Sequence, residues 1–270
     1  RIHRARGYCG QIETAKRLRQ MMDNSPIRDS HLECGRVQDP YSLRCIPQVH
    51  GAVLDNLRHV GATLTTEMNA ATDNPLVFSE QGDILSGGNF HGHPVATAMD
   101  LLGILMAQLA NMSERRISMM MDSNVSYLPA FLMKESGINS GFMIAQVTAA
   151  SLVSENKMLS HPASVDSIPT SANKEDFVTM GAHAAVKCRQ ILENCLHVLA
   201  VELLCAAQSL DLRQPLEPGP AAQAVLEVVR SEIPLMEKDR IVYPDIHKAT
   251  ALIESGKIMN AVQNRVDLGV

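Results

Sequence analysis

Four stretches mix charged, polar and small residues in a way that could support chemistry. Gln38-Asp39-Pro40-Tyr41-Ser42-Leu43-Arg44 sets a phenol and a guanidinium three residues apart. An arginine forks naturally onto a substrate carboxylate, and a tyrosine hydroxyl can donate or relay a proton. The plainer alternative is a helix-capping loop with a surface arginine. Ser86-Gly87-Gly88-Asn89-Phe90-His91-Gly92 carries two adjacent glycines, which let backbone come close to a ligand or another chain. Phe90 taken alone is ordinary packing. His91 and His93 are metal-ligand types, but a third ligand at suitable spacing is missing, so no metal is expected. Residues 164–173 lead to Glu175 at the expected start of a helix. A carboxylate there complements the helix dipole or, beside a cavity, binds a cationic ring. Gly137-Ile138-Asn139-Ser140-Gly141 is expected to be a tight junction between helices.

The elements that must position these loops are helical. The chain of 270 residues is 46% apolar and 20% charged, which excludes a disordered or fibrous protein. It has no Trp and only five Phe and four Tyr against fifteen Met, so its core must come from helix formers. Periodicity predicts helices near 11–22, 47–71, 94–120, 140–159, 174–210, 221–231 and 245–263, with a small hairpin around 76–85. In the third of these, Val95, Ala98, Leu102, Leu105, Leu109 and Met112 recur in steps of three and four, a bundle seam. The expected fold is all-α, an extended bundle of long helices with Gly- and Pro-rich connecting loops. Residues 1–213 form its core, and after prolines 215, 218 and 220 a helical tail, 214–270, packs on the same domain. Helices this long leave apolar surface without a partner in their own chain, which argues for an oligomer.

A net charge of −5 builds no field that would gather nucleic acid or an anionic membrane. The uncharged run 136–154 is too polar for lipid, and no signal peptide is visible. Six cysteines without a Cys-x-x-Cys pair are expected to be free structural thiols, which fits the cytoplasm.

In their order along the chain, six blocks resemble the aromatic amino-acid ammonia-lyase and aminomutase family, and within it the histidine ammonia-lyases. They are residues 37–44, Thr72-Asp73-Asn74-Pro75-Leu76-Val77, residues 86–91, Ser113-Glu114-Arg115-Arg116, residues 137–149 and residues 161–173. The likeness runs from about residue 7 to 213 and weakens in the tail. It implies a mostly helical homotetramer whose active sites draw on several subunits, and the conversion of L-histidine to trans-urocanate and ammonia. The implied electrophile is a methylidene-imidazolone formed from Ala-Ser-Gly. By the same resemblance Arg44 pairs with the substrate carboxylate and Tyr41 is an active-site phenol. Gln38 is a hydrogen-bonding neighbour, Phe90 a pocket wall, and Glu175 the acid facing the imidazole.

Ala-Ser-Gly does not occur in these 270 residues. The expectation is therefore a C-terminal portion, inactive alone, whose missing N-terminal half supplies the electrophile. The sequence also has Lys174-Glu175-Asp176-Phe177 where the resemblance would put Gln-Glu-Asp-His. A tyrosine or phenylalanine ammonia-lyase, an aminomutase, or a non-catalytic helical scaffold subunit are the alternatives.

Overall fold

A computed structural model describes residues 1–35 and 37–269. The elements, in chain order, are α1 (Ile2–Arg6), α2 (Cys9–Met21), α3 (Pro26–Asp29), α4 (Tyr41–Arg44), α5 (Ile46–Met68), β1 (Leu76–Phe78) and β2 (Asp83–Leu85), then α6 (His93–Met121), α7 (Ser123–Ser126) and α8 (Met143–Leu159), and finally α9 (Gly181–Leu212), α10 (Pro220–Glu232), α11 (Tyr243–Glu254) and α12 (Lys257–Gln263). Single 3-10 turns lie at Ala130–Leu132 and Ser171–Asn173. The fold is all-α apart from one antiparallel hairpin, in which Leu76, Val77 and Phe78 face Leu85, Ile84 and Asp83.

Most helices form where the apolar periodicity puts them. α5 begins at Ile46 with Pro47 in its first turn, where a missing N–H costs nothing, and stops at Met68, short of Asn74-Pro75. The 32 residues of α9 make a rod of about 48 Å. Two expectations fail locally. The stretch 245–263 is two helices, interrupted at Gly256, whose φ of 74° is the left-handed conformation that ends a helix. α9 starts at Gly181, not just after Asn173. Thr170 and Glu175 exchange backbone hydrogen bonds of 3.0 and 3.3 Å across an antiparallel bridge, so Glu175 is extended rather than in a first helical turn.

The chain divides into two compact units, one of residues 1–52, 108–155 and 193 onward, the other of 53–107 and 156–192. In the first, Ile117 of α6, Val153 of α8 and Val198 and Val201 of α9 share one core with Leu226 and Val229 of α10 and Leu252 of α11. Gln208, 2% exposed, is fully used there. Its amide N–H donates to the carbonyls of Leu132 (3.2 Å) and Met236 (2.8 Å), and its Oε1 accepts from the Met236 N–H (3.1 Å). The 137–141 loop is pinned by Asp239, whose carboxylate accepts the N–H groups of Ser140 and Gly141 at 2.8 Å each.

In the second unit, Gly103 of α6 lets Ile191 of α9 approach to 3.0 Å of where a Cβ would stand. Asp100 accepts the Ser164 N–H at 2.7 Å and faces Lys187 at 3.9 Å. α6 and α9 are long and apolar enough to cross a bilayer by length and composition alone. Each nevertheless carries charged groups that pair inside the protein, Asp100 with Lys187 and Arg116 with Glu202.

Candidate active site

Pro40 sets up the turn that carries the phenol and the guanidinium. Its carbonyl accepts the N–H groups of Leu43 (3.0 Å) and Arg44 (2.9 Å), and the Tyr41 carbonyl accepts that of Cys45 (2.9 Å). One helical turn brings positions three apart onto one face. The Arg44 guanidinium carbon therefore lies 4.8 Å from the centre of the Tyr41 ring, within cation–π range. Tyr41 is 70% exposed. Gln38, Tyr41 and Arg44 line an open concavity of about 460 Å³ with Asn124, Val125 and Tyr127. On the other flank of Tyr41 a groove of about 580 Å³ runs along Cys45, Val49, Gln108, Met112 and Arg115.

Behind this turn lies a layer of paired charge. Arg116 binds the Glu202 carboxylate with two nitrogens, Nε to Oε1 and Nη2 to Oε2, the latter at 2.9 Å. Ser113 donates to the same carboxylate at 2.6 Å, and Arg116 Nη1 donates to the Ser42 carbonyl at 3.4 Å. His50 sits beside them. Its burial, and the Arg116 charge after that, hold its pKa below 6.5 against a smaller opposing pull from Glu202. Two residues before Arg116 in α6, the buried Glu114 accepts two bonds of 2.6 Å from Arg115 and one of 3.2 Å from Gln146.

Phe90 and Glu175 belong to the other unit. The Asn74 side chain accepts the Gly87 N–H at 2.9 Å and Asn89 donates to the Ala71 carbonyl at 3.4 Å, so residues 71–74 fix the Gly-rich loop. This loop presents Phe90 at 59% exposure. His91 stacks on Phe177, ring centres 6.0 Å apart and 15° from parallel, and its Nε2 meets the Phe177 carbonyl at 2.9 Å. The His93 ring lies 5.8 Å from the same phenylalanine. Phe177 thus joins the loop of Phe90 to the segment of Glu175.

Glu175 is exposed, and its carboxylate accepts the hydroxyls of Thr170 (2.5 Å) and Ser171 (2.8 Å). Those two bonds hold its pKa below the usual carboxylate value. Positive φ at Ser171, Ala172 and Asn173 (50°, 55° and 66°) folds the backbone so that both hydroxyls reach it.

The structure thus gathers Gln38, Tyr41 and Arg44, and connects the surroundings of Phe90 and Glu175. Sequence reasoning missed Asn124 and Tyr127 beside Arg44, and Arg115 beside Tyr41. The available signals were the four hydrophilic residues 113–116 inside an apolar seam and the helix-capping Asp122, which accepts the Asn124 N–H at 2.9 Å. Among the described residues, no group of three or more His, Cys, Asp or Glu is arranged to hold a metal ion.

The histidine ammonia-lyase of Myxococcus xanthus is 51% identical over 263 residues, 97% of this chain and 52% of the relative's length. That of Stigmatella aurantiaca is 53% identical over 97% of this chain and 51% of its own. The chain therefore spans about half the length of the curated relatives it matches. Among solved structures, histidine ammonia-lyase from Trypanosoma cruzi superposes with a TM-score of 0.90 at 47% identity, over 98% of this chain and 50% of that one. Tyrosine aminomutase from Streptomyces globisporus gives 0.87 at 37%, over 97% and 54%. The family model for aromatic amino acid lyases matches residues 1–231, and this chain belongs to that family.

Proposed function

We propose that this chain is the C-terminal half of an ammonia-lyase that converts L-histidine to trans-urocanate and ammonia. Arg44 grips the substrate carboxylate, and the Tyr41 phenol and Gln38 amide hydrogen-bond near the amino-acid end. In an active site drawn from several subunits, Phe90 is the pocket wall and Glu175 the acceptor of the imidazole N–H. The observation that carries the choice of histidine is the state of Glu175. It is a carboxylate kept ionised by two hydroxyls, an acceptor suited to an imidazole donor and of little use to an uncharged benzene ring. The identity to histidine ammonia-lyases supports the same choice.

The methylidene-imidazolone of the family supplies the electrophilic carbon that activates the substrate for loss of ammonia. Its Ala-Ser-Gly precursor is not in this sequence, so its source is an N-terminal half and the chain alone is inactive. What this chain offers is compatible with such a partner, because Tyr41 and Arg44 are outward-facing donors beside an open concavity rather than a closed site. Ile144 and Val147 on α8 and Val186 on α9 are more than half exposed, which supports burial of these faces in an oligomer; the assembly proposed is a homotetramer, in the cytoplasm.

The test is to assemble this chain with its N-terminal half and follow ultraviolet absorbance with L-histidine, L-tyrosine and L-phenylalanine separately. Urocanate from histidine, only with both halves present, is expected, and Glu175→Gln should lower turnover by about a hundredfold, roughly the loss of one charge-assisted hydrogen bond in the transition state. Product from tyrosine instead would replace histidine by the substrate of the aminomutase relatives. No product from any of the three would favour a scaffold subunit.

A further inference from the structure

We infer that Arg116 and Glu202 are positioning residues whose ion pair holds the Tyr41–Arg44 turn in register, and that substrate affinity depends on that pair. The inference rests on the reading of Arg44 as the carboxylate-binding group. The turn itself is slight: one helical turn, three backbone hydrogen bonds, and an exposed side chain at each end. Such an element is not rigid unless something behind it is.

Arg116 is what stands behind it. Its side chain is 11% exposed and that of Glu202 20%, so the pair is screened from water and its geometry is enforced. Two guanidinium nitrogens are committed to Glu202, and this fixes the plane of the fork. The remaining Nη1 is thereby aimed at the carbonyl of Ser42, midway between Tyr41 and Arg44. Glu202 is itself fixed by Ser113 from α6, one turn before Arg116. The chain of contacts runs from α9 through α6 to the backbone of the turn, and no member of it faces the concavity lined by Tyr41 and Arg44.

Arg230 supplies an internal control. It also commits Nε and Nη2 to a carboxylate, both to Oδ2 of Asp211 at 2.8 and 2.6 Å, and likewise donates to a carbonyl, that of Ile233, at 3.1 Å. Its side chain is 21% exposed and that of Asp211 23%, and Asp211 and Ile233 both lie outside the turn. A merely structural role for Arg116 would make the two pairs interchangeable in their effects.

The experiment compares Arg116→Lys, Glu202→Gln and Arg230→Lys in the enzyme assembled from both halves. Amide hydrogen exchange is followed at Leu43, Arg44 and Cys45, and KM and kcat are measured with the amino acid the wild type consumes. Arg116→Lys and Glu202→Gln should speed exchange at the turn by about tenfold. They should raise KM by a similar factor while kcat falls less than about threefold, because the carboxylate grip is shared by ground and transition states. Arg230→Lys should lower the melting temperature and leave both readouts unchanged.

If the first two variants do not assemble, Ser113→Ala, which removes one of the two donors to Glu202 Oε2 and leaves Arg116 Nη2 as the other, is read in the same way with a smaller acceleration. Unchanged exchange at the turn, or the same acceleration in Arg230→Lys, overturns the inference. The exchange readout needs no substrate. A wild type that consumes tyrosine, or none of the three amino acids, defeats the histidine reading and leaves this one to be decided by the turn.

Discussion

His50 shows how a single side chain reports the environment behind the active-site turn. Its buried Nε2 has no hydrogen-bond partner, and burial together with the neighbouring Arg116 disfavours its charged form. The folded pKa is below 6.5, so between that folded value and 6.5 the unfolded chain binds more protons than the folded one, and stability rises with pH. The contribution is complete above 6.5 and lost as pH falls through the folded value. Thermal melts at several values between about pH 5 and 8 should therefore climb and level off, and His50→Gln should flatten the climb. Equal slopes in both proteins would show that His50 is not the sensor. Cys195 makes a second case: burial pushes its pKa up to about 11, so at pH 8 only about one molecule in a thousand is a thiolate. Iodoacetamide should spare Cys195 in the native protein and label it in urea, as peptide mass mapping would show. At this scale the Tyr41–Arg44 pair was legible, because spacing of three on one turn is a local property. The clamp on Glu175 was not. It needs positive φ at three consecutive non-glycine residues, against the intrinsic preference of each, whereas Asn173 followed by two acids looks like an ordinary helix start.

Between elements, the glycines of α5 separate packing from propensity. A Cβ on Gly51 would stand 2.4 Å from both the Cα and the N of Gln11, so α2 lies backbone-to-backbone against α5 at that point. No rotamer change relieves a backbone overlap. Gly51→Ala should destabilise by roughly 2 kcal/mol, the overpacking cost outweighing the ~1 kcal/mol of helix propensity that alanine brings. Gly61, in the same helix, has nothing within 4 Å of its virtual Cβ. Gly61→Ala should stabilise by about 0.5–1 kcal/mol. Parallel urea titrations decide the matter, and two shifts of the same sign would mean that the α2–α5 approach is not tight. Helix existence was readable from the 3.6-residue period because each long helix buries one stripe. The ends were less so. α5 ends at Met68, three residues short of the expected end at 71, and the break at Gly256 falls inside an unbroken apolar pattern, where only the backbone conformation of one glycine marks it.

For the whole molecule, the question is what the residues after Arg213 contribute. Prolines 215, 218 and 220 look like a linker in the sequence, yet the same compact unit continues through them. The unit boundaries instead fall within α5, α6, α8 and α9, where no change of composition could reveal them, because a continuous helix has the same local pattern on either side. Leu226, Val229, Ile233, Met236 and Leu252 are all buried in the core that Ile117, Val198 and Val201 line from the other helices. Polar ties run the same way: Arg230 to Asp211, Asp239 to the 137–141 loop, and the Met236 backbone to Gln208. At about 1.5–3 kcal/mol per large buried apolar side chain, losing these five costs on the order of 10 kcal/mol. That is comparable to the entire stability of a typical domain, about 5–15 kcal/mol. A chain ending at Arg213 should therefore lose its cooperative melt and bind a hydrophobic dye, while retaining helical circular dichroism. Gln208→Leu should be milder. It keeps the tail but strands the carbonyls of Leu132 and Met236 and the N–H of Met236, a loss of roughly 2–4 kcal/mol from buried groups left unpaired. A truncated chain that melts cooperatively within a few degrees of the intact one would mean that the apolar faces of α10 and α11 are dispensable to the core they fill.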